Sequence, residues 1–132
     1  MSQQTVAVLG LGNMGGPMAA NLVAAGYRVV GFDPAPAANE TAAARGVEVK
    51  TSSVLAVSEA SVVITMLPSG GHVIDAYKGP DGILAAAAPG TVFIDCSTIA
   101  VEDARAAAEL AHEAGHRALD APVSGGVGGA EA

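Results

Sequence analysis

The sequence predicts an α/β fold in which helices cover both faces of a doubly wound, mostly parallel sheet. Short apolar runs rich in β-branched residues alternate with longer alanine-rich segments of helical spacing. Glycines stand where helices should end in a left-handed cap, because Gly26, Gly46 and Gly115 each come just before a predicted strand. The 132 residues, 51% of them hydrophobic, are enough for the core of one domain.

Six segments have the residue pattern of strands, with at least four connections between them. Residues 35–45 and 101–114 are strong helix formers, and an earlier helix is indicated by apolar residues at helical intervals, Met14, Met18, Leu22 and Ala25. Ligands of such a sheet bind at the carboxyl ends of the strands, where the topology switches. The predicted strands cover residues 5–9, 28–32, 47–50, 61–67, 91–95 and 117–120.

Charge and cysteine content argue against several classes of partner. The formal net charge is -7 with only six lysines and arginines, so no basic surface for nucleic acid is predicted. Cys96 is the only cysteine, which excludes an intrachain disulfide and favours a reducing compartment. The sequence shows neither a positively charged leader nor an apolar stretch of about 18 to 20 residues, the length of a membrane span. We therefore expect a cytoplasmic protein that binds neither nucleic acid nor membrane.

A glycine-rich turn joins the first predicted strand to the first helix. Its sequence, Gly10-Leu11-Gly12-Asn13-Met14-Gly15, has the G-x-G-x-x-G spacing of dinucleotide-binding domains in the context that makes the spacing informative. We expect Gly10 to permit a tight turn, Gly12 to let the backbone approach a pyrophosphate, and Gly15 to let helix and strand pack closely. The alternative is an ordinary glycine-rich turn. The context favours a Rossmann dinucleotide-binding domain over residues 1–132, with phosphates held at the helix start.

Asp33 ends the second predicted strand, roughly 20 residues after the glycine turn, which is the spacing of dinucleotide-binding folds. An acidic side chain there can accept hydrogen bonds from the adenosine ribose hydroxyls and should repel a 2′-phosphate. Residues 34–37 contain no arginine that could pair with such a phosphate. We therefore predict NAD rather than NADP. The alternative is that Asp33 only forms a turn or caps a helix before Pro34.

Two longer strings make the chain similar to a known family. The first extends the glycine motif over residues 10–22, GLGNMGGPMAANL, and the second covers residues 120–130, DAPVSGGVGGA. Together they resemble the cofactor-binding and substrate-binding signatures of the β-hydroxyacid dehydrogenases. Residues 82–99 are most similar to the branch of this family that acts on 3-hydroxyisobutyrate. The resemblance covers essentially the whole chain.

The resemblance implies hydride transfer between NAD and a small 3-hydroxy acid, with 3-hydroxyisobutyrate giving methylmalonate semialdehyde in valine breakdown. It also implies cofactor contacts after the fourth and fifth strands. Alternatives are a strand that merely stops at a proline for residues 66–68, a helix cap for Thr98, and a plain surface position for His72. With the turn and the acidic residue included, the expected cofactor-binding residues are Gly10, Leu11, Gly12, Asn13, Met14, Asp33, Met66, Leu67, Pro68, His72 and Thr98.

The same resemblance assigns the substrate carboxylate to Ser124, Gly125 and Gly126. A hydroxyl and two unobstructed backbone N–H groups would form a small set of donors for an anion. The alternative is a serine turn in a glycine-rich connection.

The family's general acid/base is a lysine, but Lys50 and Lys78, the only lysines, lie outside the family's catalytic motif. We therefore expect no catalytic residue in this chain and a catalytic lysine beyond residue 132. The Rossmann domain is then incomplete at its C-terminal end, and the helical domain that closes the cleft and builds a homo-oligomer is absent from this sequence. These residues alone should be nearly inactive, because positioned proton transfer contributes ~10²- to 10⁴-fold.

Two further motifs are interpreted as structural. His112-Glu113-Ala114-Gly115-His116 fits the H-E-x-x-H pattern of zinc proteases, but Gly115 should end the helix and make the imidazoles diverge, so no metal is expected. Asn39-Glu40-Thr41 is a formal glycosylation sequon, which we interpret as a solvated helix position.

Three functions stay open at this point. The chain can be part of a 3-hydroxy acid dehydrogenase, part of a related reductase of tartronate semialdehyde or another β-hydroxyacid, or a non-catalytic NAD-binding module. A substrate panel separates the first two, and a gene that ends near Ala132 would favour the third.

Overall fold

A computed structural model describes residues 4–12, 15–67, 70–78, 82–96 and 101–120. The strands in this part of the chain are β1 (Thr5–Leu9), β2 (Arg28–Phe32), β3 (Glu48–Val49), β4 (Val62–Thr65), β5 (Val92–Asp95) and β6 (Arg117–Asp120). These six strands form one parallel sheet in the order β3-β2-β1-β4-β5-β6. The order reverses at β1, which lies between β2 and β4, so this is the predicted doubly wound Rossmann sheet.

Helices pack on both faces of the sheet, because successive residues of a strand point to opposite sides. The helices are α1 (Gly15–Ala24), α2 (Pro36–Ala44), α3 (Ser53–Ser58), α4 (Gly70–Tyr77), α5 (Ile83–Ala86) and α6 (Val101–Glu113). Ala7 and Leu9 of β1 belong to a core cluster with residues of α3, α4, α5 and α6, whereas Val6 and Val8 belong to a cluster with residues of α1 and α2. None of the helices in the described ranges is long and apolar enough to span a membrane.

The three predicted glycine caps are confirmed, with positive φ angles at Gly26, Gly46 and Gly115. After each glycine the next backbone N–H donates back to a carbonyl five residues earlier, as Val47 does to Ala42 at 3.1 Å. This bond explains why β3 begins one residue later than the predicted 47–50. The N–H of Val47 is used by the helix cap, so the strand begins at Glu48 and contains only two residues.

The H-E-x-x-H motif is divided between a helix end and the core. His112 is exposed in the last turn of α6, whereas His116 follows the Gly115 cap and is buried. The His116 ring lies against Phe93, with ring centroids 5.0 Å apart, and its Nε2 donates to the Leu84 carbonyl oxygen at 2.9 Å. His116 therefore anchors β6 to α5, and the two imidazoles do not face each other.

Candidate cofactor site

The glycine turn lies at the point where the strand order reverses. Gly10 follows β1 with a φ of 94°, and its N–H donates to the Phe32 carbonyl at 3.0 Å. A Cβ on Gly10 would overlap the Met66 carbonyl oxygen, and a Cβ on Gly15 would overlap the Gly10 carbonyl oxygen. The predicted steric roles of these two glycines are therefore confirmed, because any side chain would push the turn away from β4 or from α1.

Gly12 differs from its neighbours because it is exposed and its backbone faces open space. A Cβ built there has no atom within 4 Å. The missing side chain thus leaves the entrance to α1 uncovered, where the Gly16 N–H donates to the Gly12 carbonyl at 2.9 Å. The expected pyrophosphate contact requires such an approach to the backbone without a Cβ in the way.

Asp33 lies directly beside this turn. Its Oδ2 accepts a hydrogen bond from the Leu11 N–H at 2.8 Å, and its Oδ1 accepts one from the Ala35 N–H at 2.8 Å. The contact with Ala35 is the local turn that was the structural alternative for Asp33. The turn does not exclude the expected ribose contact, because each carboxylate oxygen has a second lone pair that can accept a hydroxyl.

Asn39 is part of the same cluster, although no sequence motif marked it as a site residue. Its Oδ1 accepts from the Asp33 N–H at 2.9 Å, and its Nδ2 donates to the Asp33 carbonyl oxygen at 2.7 Å. The interpretation of Asn39 as a solvated helix position is wrong, because the residue is half-buried and both ends of its amide are bonded. The turn between Asp33 and α2 was an available signal, because a turn leaves backbone groups without a strand partner and a nearby polar side chain can bond them.

The ends of β4 and β5 complete the carboxyl edge of the sheet. Met66 is half-buried, and its N–H donates to the Leu9 carbonyl at 2.9 Å. Below it, the buried Thr65 hydroxyl donates to Asp95 Oδ1 at 2.9 Å and shares a hydrogen bond with the Tyr77 hydroxyl. Burial raises the pKa of Tyr77 to about 12. No motif in the sequence predicted this polar network, although an aspartate at the end of an apolar strand signals a buried partner.

The structure brings together the predicted residues Gly10, Leu11, Gly12 and Asp33, with Met66 and Leu67 next to Gly10. His72 lies in the first turn of α4. The other predicted site residues lie outside the described ranges: Asn13, Met14, Pro68, Thr98, Ser124, Gly125 and Gly126.

The sequence matches a known protein family over almost its whole length. Residues 5–132 match the profile described as the NAD binding domain of 6-phosphogluconate dehydrogenase. The chain belongs to this family. As a family member it is an NAD-binding domain, and the open space at Gly12 and the carboxylate of Asp33 fit that cofactor.

Similar proteins within the family share almost the whole chain. It is 60% identical over 128 residues to a probable 3-hydroxyisobutyrate dehydrogenase of Mycobacterium tuberculosis, which covers 97% of this chain and 42% of that protein. It is 48% identical over 127 residues to an NAD-dependent L-serine dehydrogenase of Pseudomonas aeruginosa, covering 96% of this chain and 43% of that protein. This chain thus spans less than half the length of the curated relatives it matches.

A solved structure gives the same result for the fold. The Mycobacterium tuberculosis 3-hydroxyisobutyrate dehydrogenase with L-serine superposes with a TM-score of 0.94 at 59% identity. The superposition covers 98% of this chain and 44% of that one.

Proposed function

We propose that this chain is the cofactor-binding part of an NAD-dependent 3-hydroxyisobutyrate dehydrogenase of valine breakdown. The complete enzyme would transfer a hydride between NAD and 3-hydroxyisobutyrate, giving methylmalonate semialdehyde. The observation that carries the proposal is the carboxylate of Asp33 held 2.8 Å from the Leu11 N–H, beside the open glycine turn. The 60% identity to the mycobacterial protein supports the assignment to this reaction.

The residues of the carboxyl edge would divide the binding of NAD between them. Backbone N–H groups at the start of α1 would hold the pyrophosphate, and Asp33 would accept hydrogen bonds from the adenosine ribose. Met66 and Leu67 lie at the end of β4, next to the turn, and would contact the cofactor with Asn13, Met14, Pro68, His72 and Thr98. NAD supplies the hydride acceptor, while these residues bind and orient it.

Residues outside the carboxyl edge would bind the substrate and accept its hydroxyl proton in the complete enzyme. Ser124, Gly125 and Gly126 would bind the substrate carboxylate through a hydroxyl and backbone N–H groups. We propose that a lysine beyond residue 132 accepts the hydroxyl proton and that a helical C-terminal domain closes the cleft and forms the homo-oligomer. The proposed setting is the cytoplasm, which suits a chain whose one cysteine, Cys96, is buried.

Cofactor preference is the first test, measured by calorimetry with NAD and NADP on the full chain. We expect NAD to bind more tightly by roughly 10- to 100-fold, because a 2′-phosphate would meet the Asp33 carboxylate and lose the ribose hydrogen bonds. Asp33→Ala should remove most of this preference. Glu40→Gln, an exposed acidic position on α2, is the matched control and should leave it intact. Tighter binding of NADP by the unmodified chain would rule out the cofactor assignment.

The substrate is tested on the protein at the full length that its gene encodes. We expect reduction of NAD with 3-hydroxyisobutyrate to have the highest kcat/KM in a panel that includes L-serine and, in the reverse direction, tartronate semialdehyde with NADH. Higher kcat/KM with tartronate semialdehyde would make the enzyme a different β-hydroxyacid reductase. Tight NAD binding without turnover of any of these acids would indicate a non-catalytic NAD-binding module.

L-serine is a second candidate substrate for a specific reason. One relative is an NAD-dependent L-serine dehydrogenase, and the solved mycobacterial structure contains L-serine. L-serine is itself a 3-hydroxy acid that carries an amino group, so the same carboxylate site could accept it. A lower KM for L-serine than for 3-hydroxyisobutyrate would favour this second function.

A further inference from the structure

At the end of β2 the backbone forms its last hydrogen bonds to the neighbouring segments at Gly31 and Phe32. On one side the last bond from β2 to β3 runs from the Lys50 N–H to the Gly31 carbonyl at 2.9 Å, because β3 ends at Val49. On the other side the Gly10 N–H binds the Phe32 carbonyl at 3.0 Å. The next residue, Asp33, therefore lies just beyond the reach of both neighbouring strands.

The side-chain amide of Asn39 takes the place of a strand partner at this residue. It accepts from the Asp33 N–H at 2.9 Å and donates to the Asp33 carbonyl oxygen at 2.7 Å, so both bonds end on one residue. A side-chain amide has the same planar donor and acceptor pair as a peptide group. Because Asn39 belongs to α2, its amide connects that helix to the end of β2.

The same residue is held at its carboxylate by two backbone donors, the N–H groups of Leu11 and Ala35, each at 2.8 Å. Asp33 thus has four hydrogen bonds, two at its peptide groups and two at its side chain. Pro34 restricts the preceding backbone further, since a residue before proline is confined to extended conformations. Without the Asn39 bonds, Asp33 would be restrained only by the two contacts at its carboxylate and by Pro34.

We infer that Asn39 is a positioning residue that aims the Asp33 carboxylate at the adenosine ribose and thereby sets the preference for NAD over NADP. This inference rests on the proposed function, in which Asp33 binds the ribose. A carboxylate fixed before binding loses less freedom when the cofactor arrives, and it presents a localised charge to a 2′-phosphate. Asn39 itself need not touch the cofactor.

A purely structural role for Asn39 predicts a different result. If the amide only attached α2 to the sheet, its removal would lower stability and change the affinities for both cofactors alike. A positioning role predicts weaker binding of NAD with little change for NADP. Thr41→Ala is the matched control, because Thr41 lies on the same helix and its exposed hydroxyl donates only to the Ala37 carbonyl, at 3.0 Å.

The experiment is a double-mutant cycle of Asn39→Ala and Asp33→Ala, with dissociation constants of NAD and NADP measured by calorimetry on the full chain. We expect Asn39→Ala to weaken NAD binding about 3- to 10-fold, the equivalent of one or two lost hydrogen bonds. In the Asp33→Ala background the same change should have no further effect on NAD. Hydrogen exchange of the Asp33 amide in the cofactor-free chain should become faster in Asn39→Ala and stay unchanged in Thr41→Ala.

The possible results separate the two proposals. If Asp33→Ala lowers NAD affinity but Asn39→Ala leaves the ratio of NAD to NADP affinity unchanged, the inference about Asn39 is overturned while the proposed function stands. If Asp33→Ala itself leaves NAD affinity unchanged, the assignment of Asp33 in the proposed function fails. Should Asn39→Ala not fold, Asn39→Ser serves instead, because its shorter hydroxyl cannot bridge both backbone atoms of Asp33.

Discussion

The carboxyl edge and the amino edge of the sheet hold their carboxylates in different ways. At the carboxyl edge Asp33 is bound by the N–H groups of Leu11 and Ala35 and by the Asn39 amide. Toward the amino edge Arg28, the first residue of β2, forms ion pairs with Glu48 at 2.6 Å and Glu59 at 3.3 Å. Donors that belong to the backbone are positioned by the fold itself, whereas the long side chains of an exposed ion pair are not.

The ion pairs of the amino edge join long side chains that face water. The Arg28 and Glu48 side chains are 32% and 49% exposed, so solvent and salt screen their attraction. Hydrogen bonding to Arg28 lowers the pKa of Glu48, and Lys50 together with Arg28 lowers the pKa of Glu59. Short charge-to-charge distances are therefore weaker evidence for a site than neutral donors held by a turn.

The greatest loss of stability and NAD binding is expected at the glycine turn, where a side chain would meet the backbone at Gly15 but open space at Gly12. Gly15→Ala should cost about 3 kcal/mol or more of unfolding free energy and abolish NAD binding, because its Cβ would overlap the Gly10 carbonyl oxygen. Gly12→Ala should keep nearly normal stability and still bind NAD poorly, because its Cβ would occupy open space at the turn. Urea denaturation and calorimetry measure both properties. Equal destabilisation by the two changes would contradict this account.

The second effect concerns the buried network beneath the carboxyl edge and appears only at high pH. Burial raises the pKa of Tyr77 from 10.0 to about 12, so the folded chain keeps a proton that the unfolded chain loses. The resulting contribution is fully present below pH 10.0 and disappears as the pH rises through about 12.

Unfolding free energy should therefore fall by about 2–3 kcal/mol across this interval in the unmodified chain. In Tyr77→Phe this alkaline loss should be absent, although the variant starts less stable because Thr65 loses a hydrogen-bond partner. Tyr27→Phe, at a position 38% exposed, is the control and should keep the alkaline loss. Identical pH profiles for the unmodified chain and Tyr77→Phe would refute the assignment to Tyr77.

The smallest effect tests the amino edge. Arg28→Gln should lower the melting temperature by only a few degrees in low salt, and the difference should shrink in high salt as screening weakens the original ion pairs. Because Arg28 lowers the pKa of Glu48, its contribution exists above the unfolded pKa of that group and is lost as pH falls through the folded pKa. NAD affinity should not change. A marked loss of NAD affinity would show that the two edges are coupled.

Local sequence patterns predicted the parts of the fold that depend on neighbouring residues. The Gly10 turn and the caps at Gly26, Gly46 and Gly115 need backbone conformations that glycine adopts readily. The positions of the glycines in the sequence therefore predict them. Asp33 was predicted in the same way, because its distance from the turn follows from the length of one strand–helix–strand unit. The later start of β3 was not predicted, since it depends on whether the Val47 N–H donates to the helix cap or to the neighbouring strand.

Local residue patterns specify the alternation of strands and helices, the glycine turn and the acidic residue that follows β2. Asn39 bonds both peptide groups of Asp33, and Thr65 donates to Asp95 across 30 residues of sequence, only once the chain has folded. A periodic pattern specifies only which face of an element is apolar. Which polar atom meets which depends on the packing of elements distant in sequence, and that packing exists only in the folded chain.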